Sequence, residues 1–223
     1  MHPQLDAFYR ASVDLFWLPL GAGDTLRVVK WNGRLYEALI ARHEHRERRD
    51  LYHSALEVHL NGDRFVVEMV PSWDSTERDR GVVAEGPVAL PRLGVSRLFR
   101  YEVRRWLGGV IPDISESVES PVRLSSAAKQ ARALLNLVPE FPTATWGRDE
   151  LRTGEMWNSN SLISWLLARS GHRTDNVRPP VHGRAPGWNA GLIVAARSTI
   201  ATSSSSQVCG SFDTVPHAGQ TRM

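Results

Sequence analysis

Residues 53–70 carry the strongest folding instruction in this chain. In HSALEVHL, Leu56, Val58 and Leu60 fall on one face, and His53, Ala55, Glu57 and His59 on the other. This period of two is that of a half-buried strand. Asn61-Gly62-Asp63 then supplies the residue types of a tight turn, and RFVVEMV returns antiparallel. An antiparallel sheet is therefore expected, seeded by this hairpin.

Other segments extend the sheet and cover it. LRVVKW and RLYEALIARH read as strands around Asn32-Gly33, and LFRYEVRRWL as a strand ended by Gly108-Gly109. Leu5, Phe8, Tyr9 and Val13 lie close to helical spacing, which predicts a helix over 4–16. A second helix is predicted over Ser125–Leu137, with Ser125 or Ser126 as cap and a stripe of Ala128, Ala131, Leu134, Leu135 and Val138. A third spans 159–169 with Leu162, Ile163, Trp165, Leu166 and Leu167, and Gly171 stands where a left-handed residue ends it. Residues 71–92 hold Pro71, Pro87 and Pro91 and read as a long loop over the sheet. RPPVHGRAPGW reads as a proline-stiffened connection, either a ligand-gripping loop or a plain stiff link, before AGLIVAA as a last strand or helix. From Ser198 the apolar period stops, and a disordered serine-rich tail is expected over 198–223.

The fold class that follows is α+β, a single domain over residues 1–197 with an antiparallel sheet flanked by helices. At 223 residues and 42% hydrophobic, one substantial core is affordable. All but two of the 27 basic residues are arginine, spread among acidic residues for a net charge of only +3, so no nucleic-acid partner is expected. The single cysteine, Cys209, excludes an internal disulfide and a cysteine-cluster metal site, and fits a cytoplasmic protein. No apolar run reaches the roughly 20 residues of a membrane span, and the first residues do not read as a signal peptide. His43, His45, His53 and His59 lack metalloprotease spacing, and the GAG of WLPLGAGD lacks a dinucleotide fingerprint, so neither a metal nor a cofactor is expected.

Two distant segments carry the candidate chemistry. His53 opens the hairpin strand, and TGEMWNSNSLISWLLARSG places a polar knot, Asn158-Ser159-Asn160, before an apolar helix. A nucleophile at a helix N-terminus gains from the helix dipole and free amides, a histidine can exchange its proton, and a third polar group can orient the ring. Over roughly 50–170 this order resembles the circularly permuted papain-like superfamily, which includes cell-wall amidases, lecithin:retinol acyltransferase-like enzymes and PPPDE-type peptidases.

The resemblance implies a helix packed on an antiparallel sheet and acyl-bond hydrolysis or transfer on an amide or ester. It puts Ser159 in the cysteine's place and His53 as base, with Glu68 as third residue and Glu57 or His59 as weaker choices. Asn158, Asn160 and Trp157 would form the oxyanion site or pocket wall. Serine where the superfamily has cysteine implies a degenerate site, since a hydroxyl is far less acidic than a thiol. The alternative is a non-catalytic binding or scaffold protein using the same groove, its partner a small molecule or peptide. Each residue also has a plain structural reading: Ser159 as an N-cap, Glu68 as the partner of Arg100 or Arg104, and His53 as a half-exposed strand residue.

Overall fold

A computed structural model describes residues 11–20, 47, 49–72 and 79–208. Six strands form one antiparallel sheet: β1 (Ser12–Pro19), β2 (Asp50–Leu60), β3 (Asp63–Pro71), β4 (Val82–Pro87), β5 (Arg100–Leu107) and β6 (Val122–Ser125). Their spatial order is β4-β5-β3-β2-β1-β6. A seventh strand, β7 (Gly183–Arg184), lies parallel to the start of β2, with Asp50 opposite Gly183 and Leu51 opposite Arg184. Three helices complete the described chain: α1 (Ala128–Leu137), α2 (Ser159–Arg169) and α3 (Trp188–Val208).

The central hairpin has the expected register. Leu56 faces Val67, Val58 faces Phe65 and Leu60 faces Asp63, around Asn61 and Gly62 in the left-handed region. Its even-numbered residues Tyr52, Leu56, Val58 and Leu60 join the main core with α1 and α2, through Leu134, Leu135, Leu162, Ile163 and Leu166. The opposite face is buried as well. Phe16, Leu18, Ala55, Val66 and Ile111 form a second cluster there, with Trp106 against it. Each face follows from strand alternation: Trp17 pairs with Ser54 on the helix side and Leu18 with His53 on the other.

Several expectations need correction. Residues 12–16 of the helix expected over 4–16 are strand, and Leu5, Phe8 and Tyr9, which carried that expectation with Val13, lie outside the described residues; from Leu15 to Leu18 β1 is apolar and buried on both faces, so it lacks the alternation of a half-buried strand. The loop expected over 71–92 contains β4, which pairs with β5 between Val82 and Pro87. Its Gly86 passes under Tyr101, where a Cβ would come within 2.3 Å of the ring. Strand β6 carried no sequence signal. In α1, Ala127 takes the cap position with no side-chain bond, while the Ser125 hydroxyl accepts from the Ala127 amide at 3.0 Å. AGLIVAA is helical, and α3 continues to Val208, through the first part of the stretch expected to be disordered. The expected hairpin of residues 26–43, with His43 and His45, and Cys209 lie outside the described residues.

Candidate functional site

Asn158, not Ser159, caps α2. Its Oδ1 accepts from the Asn160 amide at 2.9 Å and from the Ser161 amide at 3.4 Å. The Ser161 hydroxyl in turn accepts from the Asn158 amide at 3.1 Å, which closes a capping box. Asn158 Nδ2 donates to the Pro186 carbonyl at 2.9 Å, and Gly187 comes so close that a Cβ there would stand 2.4 Å from Asn158 Oδ1.

Asn160 reaches the other way, to the sheet. Past Leu56 the pairing of β2 with β3 ends, which frees the Tyr52 carbonyl. Asn160 Nδ2 donates to that carbonyl and to the Pro186 carbonyl, both at 2.9 Å, and Ser54 Oγ donates to Asn160 Oδ1 at 2.8 Å. The carboxamide thus stands in for a missing strand neighbour. Trp157 stacks on Phe141 with centroids 4.9 Å apart and donates from Nε1 to the Pro142 carbonyl at 3.0 Å. The polar knot therefore fastens three parts of the chain together, and the Asn160 amide expected to hold an oxyanion is already bonded.

The expected catalytic group is not assembled. Ser54 touches α2, so its face of β2 is the helix face, and His53 points to the other. Across β1, His53 pairs with Leu18, a member of the second cluster. Glu68 shares that far face, two residues from Val66, and bonds Arg104 at 3.1 Å. Ser159, 5% exposed, stays at the first turn of α2. The sheet therefore separates Ser159 from both His53 and Glu68. Of the weaker third-residue choices, Glu57 accepts from His59 at 2.9 Å and from Arg64 at 3.0 Å on the same far face.

His53 is half-buried in β2, and desolvation pushes its pKa down to about 4. His172, buried after α2 with Nδ1 2.8 Å from the Ser170 hydroxyl, is also lowered, chiefly by burial. A histidine held neutral by the fold binds a proton more readily when unfolded, so its contribution is intact above about pH 6.5 and declines on acidification. For His53 the window runs from the ordinary 6.5 to about 4. The expected loss is about 2 kcal/mol from about pH 7 to about pH 4.5. Urea midpoints across this range should fall for the native chain and fall less for His53→Gln. Equal acid slopes in the two proteins would contradict this.

A different constellation lies beside the knot. The chain from Val177 to Asn189 borders an open cavity of about 560 Å³. Arg49, Arg178, His182 and Arg184 line it with Pro179, Pro180, Pro186 and Trp188. Three prolines stiffen the loop, and His182 is held at φ +62°, a conformation that side-chain-bearing residues rarely adopt. Gly183 is pressed on Tyr52, where a Cβ would meet the ring at 2.5 Å. Glu155 is the acidic residue of the lining, and its carboxylate accepts from the Gly187 amide and from Asn189 Nδ2, both at 2.8 Å. It thus occupies the amide end of α3. In RPPVHGRAPGW the sequence pointed to this loop, but Arg49 and Glu155 carried no signal because they reach it only through the fold.

Among the described residues no cluster of His, Cys, Asp or Glu could hold a metal ion, and no helix is long and apolar enough to cross a membrane. No family model, curated protein or solved structure matches this chain.

Proposed function

We propose that this chain is a non-catalytic binding protein whose site is the cavity under residues 177–189, and that its ligand is a small anion. The carrying observation is the cluster of Arg49, Arg178 and Arg184 around a stiffened cavity of about 560 Å³. Small-molecule sites span roughly 300–1,000 Å³. Guanidinium groups recognise carboxylate and phosphate through paired, charge-assisted bonds, and a proline-stiffened loop loses little entropy on binding. The separation of Ser159 from His53 favours this reading over acyl hydrolysis, which requires the two in hydrogen-bond reach.

Thermal unfolding in inorganic phosphate or citrate, against chloride at matched ionic strength, tests the proposal. Both anions should raise the midpoint. Arg178→Gln, at an exposed position whose guanidinium donates to the adjacent Val177 carbonyl, should weaken binding by roughly tenfold or more. An equal midpoint in all three salts, or an anion effect that survives Arg178→Gln, would reject it. Labelling of Ser159 by a fluorophosphonate, lost in Ser159→Ala, would revive the hydrolase reading.

A further inference from the structure

We propose that the connection between β4 and β5, residues 88–99, docks onto an anionic lipid surface. Four of its apolar side chains are exposed: Val95 by 86%, Leu98 by 65%, Leu90 by 48% and Phe99 by 39%. Isolated exposed apolar residues are ordinary, but four within ten residues of one short connection are not. Exposures this high mean that the tips stand clear of their neighbours. A convex apolar tip suits a deformable surface better than a protein groove, which must bring its own concavity.

Charge identifies the surface. Arg92 and Arg97 are exposed among these tips, and no acidic residue occurs between Gly86 and Phe99. Arg148, also exposed, lies alongside and donates to the Ala89 carbonyl at 3.3 Å. Arginines flanking exposed apolar residues match the interfacial zone of a bilayer, where apolar groups enter and cations meet lipid phosphates and serine headgroups.

The connection is also built to stay in this shape. The Val88 amide donates to the Phe99 carbonyl at 2.8 Å and the Ala89 amide to the Trp146 carbonyl at 3.1 Å. Arg100 reaches back to the Gly94 carbonyl, and short 3-10 turns span Pro91–Val95 and Arg97–Phe99. The apolar tips are therefore held outward, and little ordering is needed on docking.

Co-sedimentation of the full chain with phosphatidylcholine vesicles, with or without about 30 mol% phosphatidylserine, tests this. Binding should require phosphatidylserine and weaken with salt. Arg92→Gln with Arg97→Gln should reduce it roughly thirtyfold, and Val95→Ser with Leu98→Ser roughly tenfold or more. Circular dichroism and thermal unfolding confirm that each variant is folded, as expected at such exposed positions. Arg178→Gln should leave vesicle binding unchanged, which separates this surface from the arginine cavity. The proposal is overturned by failure to sediment with either vesicle, by equal binding to neutral vesicles, or by binding that survives both pairs of substitutions. Capture by immobilised polyglutamate through Arg92 and Arg97, without vesicle binding, would overturn it in favour of an acidic protein partner.

Discussion

Arg104→Leu is expected to lower folding stability by about 3–5 kcal/mol, the cost of removing one partner from a buried charge group. Arg104 is 3% exposed, Glu68 4% and Glu102 1%. Arg104 Nη1 donates to Glu68 at 3.1 Å, while Nε and Nη2 donate to Glu102 at 3.0 and 2.9 Å. Arg80 adds bonds to Glu102 at 3.1 and 2.6 Å. Burial pushes the Glu102 carboxyl up, and the bonds from Arg80 and Arg104 overcome it, so the group stays below its ordinary value. Without Arg104, burial works against both carboxylates with less to oppose it. The remedy should be chemical: Glu68→Gln in the Arg104→Leu background should recover part of the loss, because it removes a buried negative charge. Urea denaturation of the cycle measures this coupling. A loss for Arg104→Leu below about 1 kcal/mol would show the group to be surface-like in its energetics.

Gly191→Ala is the second large effect, and here two ordinary arguments predict opposite signs. Within a helix, alanine in place of glycine should stabilise by about 1 kcal/mol. Yet α3 crosses α2 at this point with no room for a methyl group. A Cβ on Gly191 would stand 2.1 Å from Ser164 Oγ and 2.2 Å from the Ser161 carbonyl oxygen. The same serines bind α3, with Ser161 Oγ donating to the Gly187 carbonyl at 2.8 Å and Ser164 Oγ to the Trp188 carbonyl at 2.7 Å. Separating the helices would stretch both bonds and shift the loop that lines the cavity. The expected net outcome is destabilisation of about 3 kcal/mol. Anion-induced stabilisation should weaken too, since Trp188 borders the cavity. A Gly191→Ala protein as stable as the parent would mean that the helices are not in this contact.

The contrast between these residues explains what could be read in advance. The hairpin of β2 and β3 was legible because alternation, turn residues and length agree within one short stretch. Helix α2 was legible because its apolar residues follow a knot of good capping residues, although Asn158 rather than Ser159 does the capping. β1 was misread because Leu15, Phe16, Trp17 and Leu18 are apolar in succession and covered on both faces, which hides the period of two after Ser12 and Asp14. β4 was missed because prolines and Gly86 resemble loop, while the fit of Gly86 under Tyr101 is a contact between strands.

The site failed at a different step. Alternation already set His53 opposite Leu56, Val58 and Leu60. What alternation leaves open is which face α2 covers, because Ala55 on the far side is as buried as Leu56. Once Ser54 is seen bonded to Asn160, the parity of the strand excludes His53 from the helix N-terminus. The arginine cavity was half legible: the proline-stiffened loop stood out, but Arg49 joins it from more than a hundred residues away.

By itself, the order of residues determined the β2–β3 hairpin, β5, α1 and α2, because hydrogen-bond geometry and side-chain period act over a few residues. Only the tertiary structure decided which sheet face meets the helices, where Arg104 finds its carboxylates, and which arginines share a cavity. Those outcomes depend on packing between segments far apart in the chain, and no local pattern encodes which surfaces will meet.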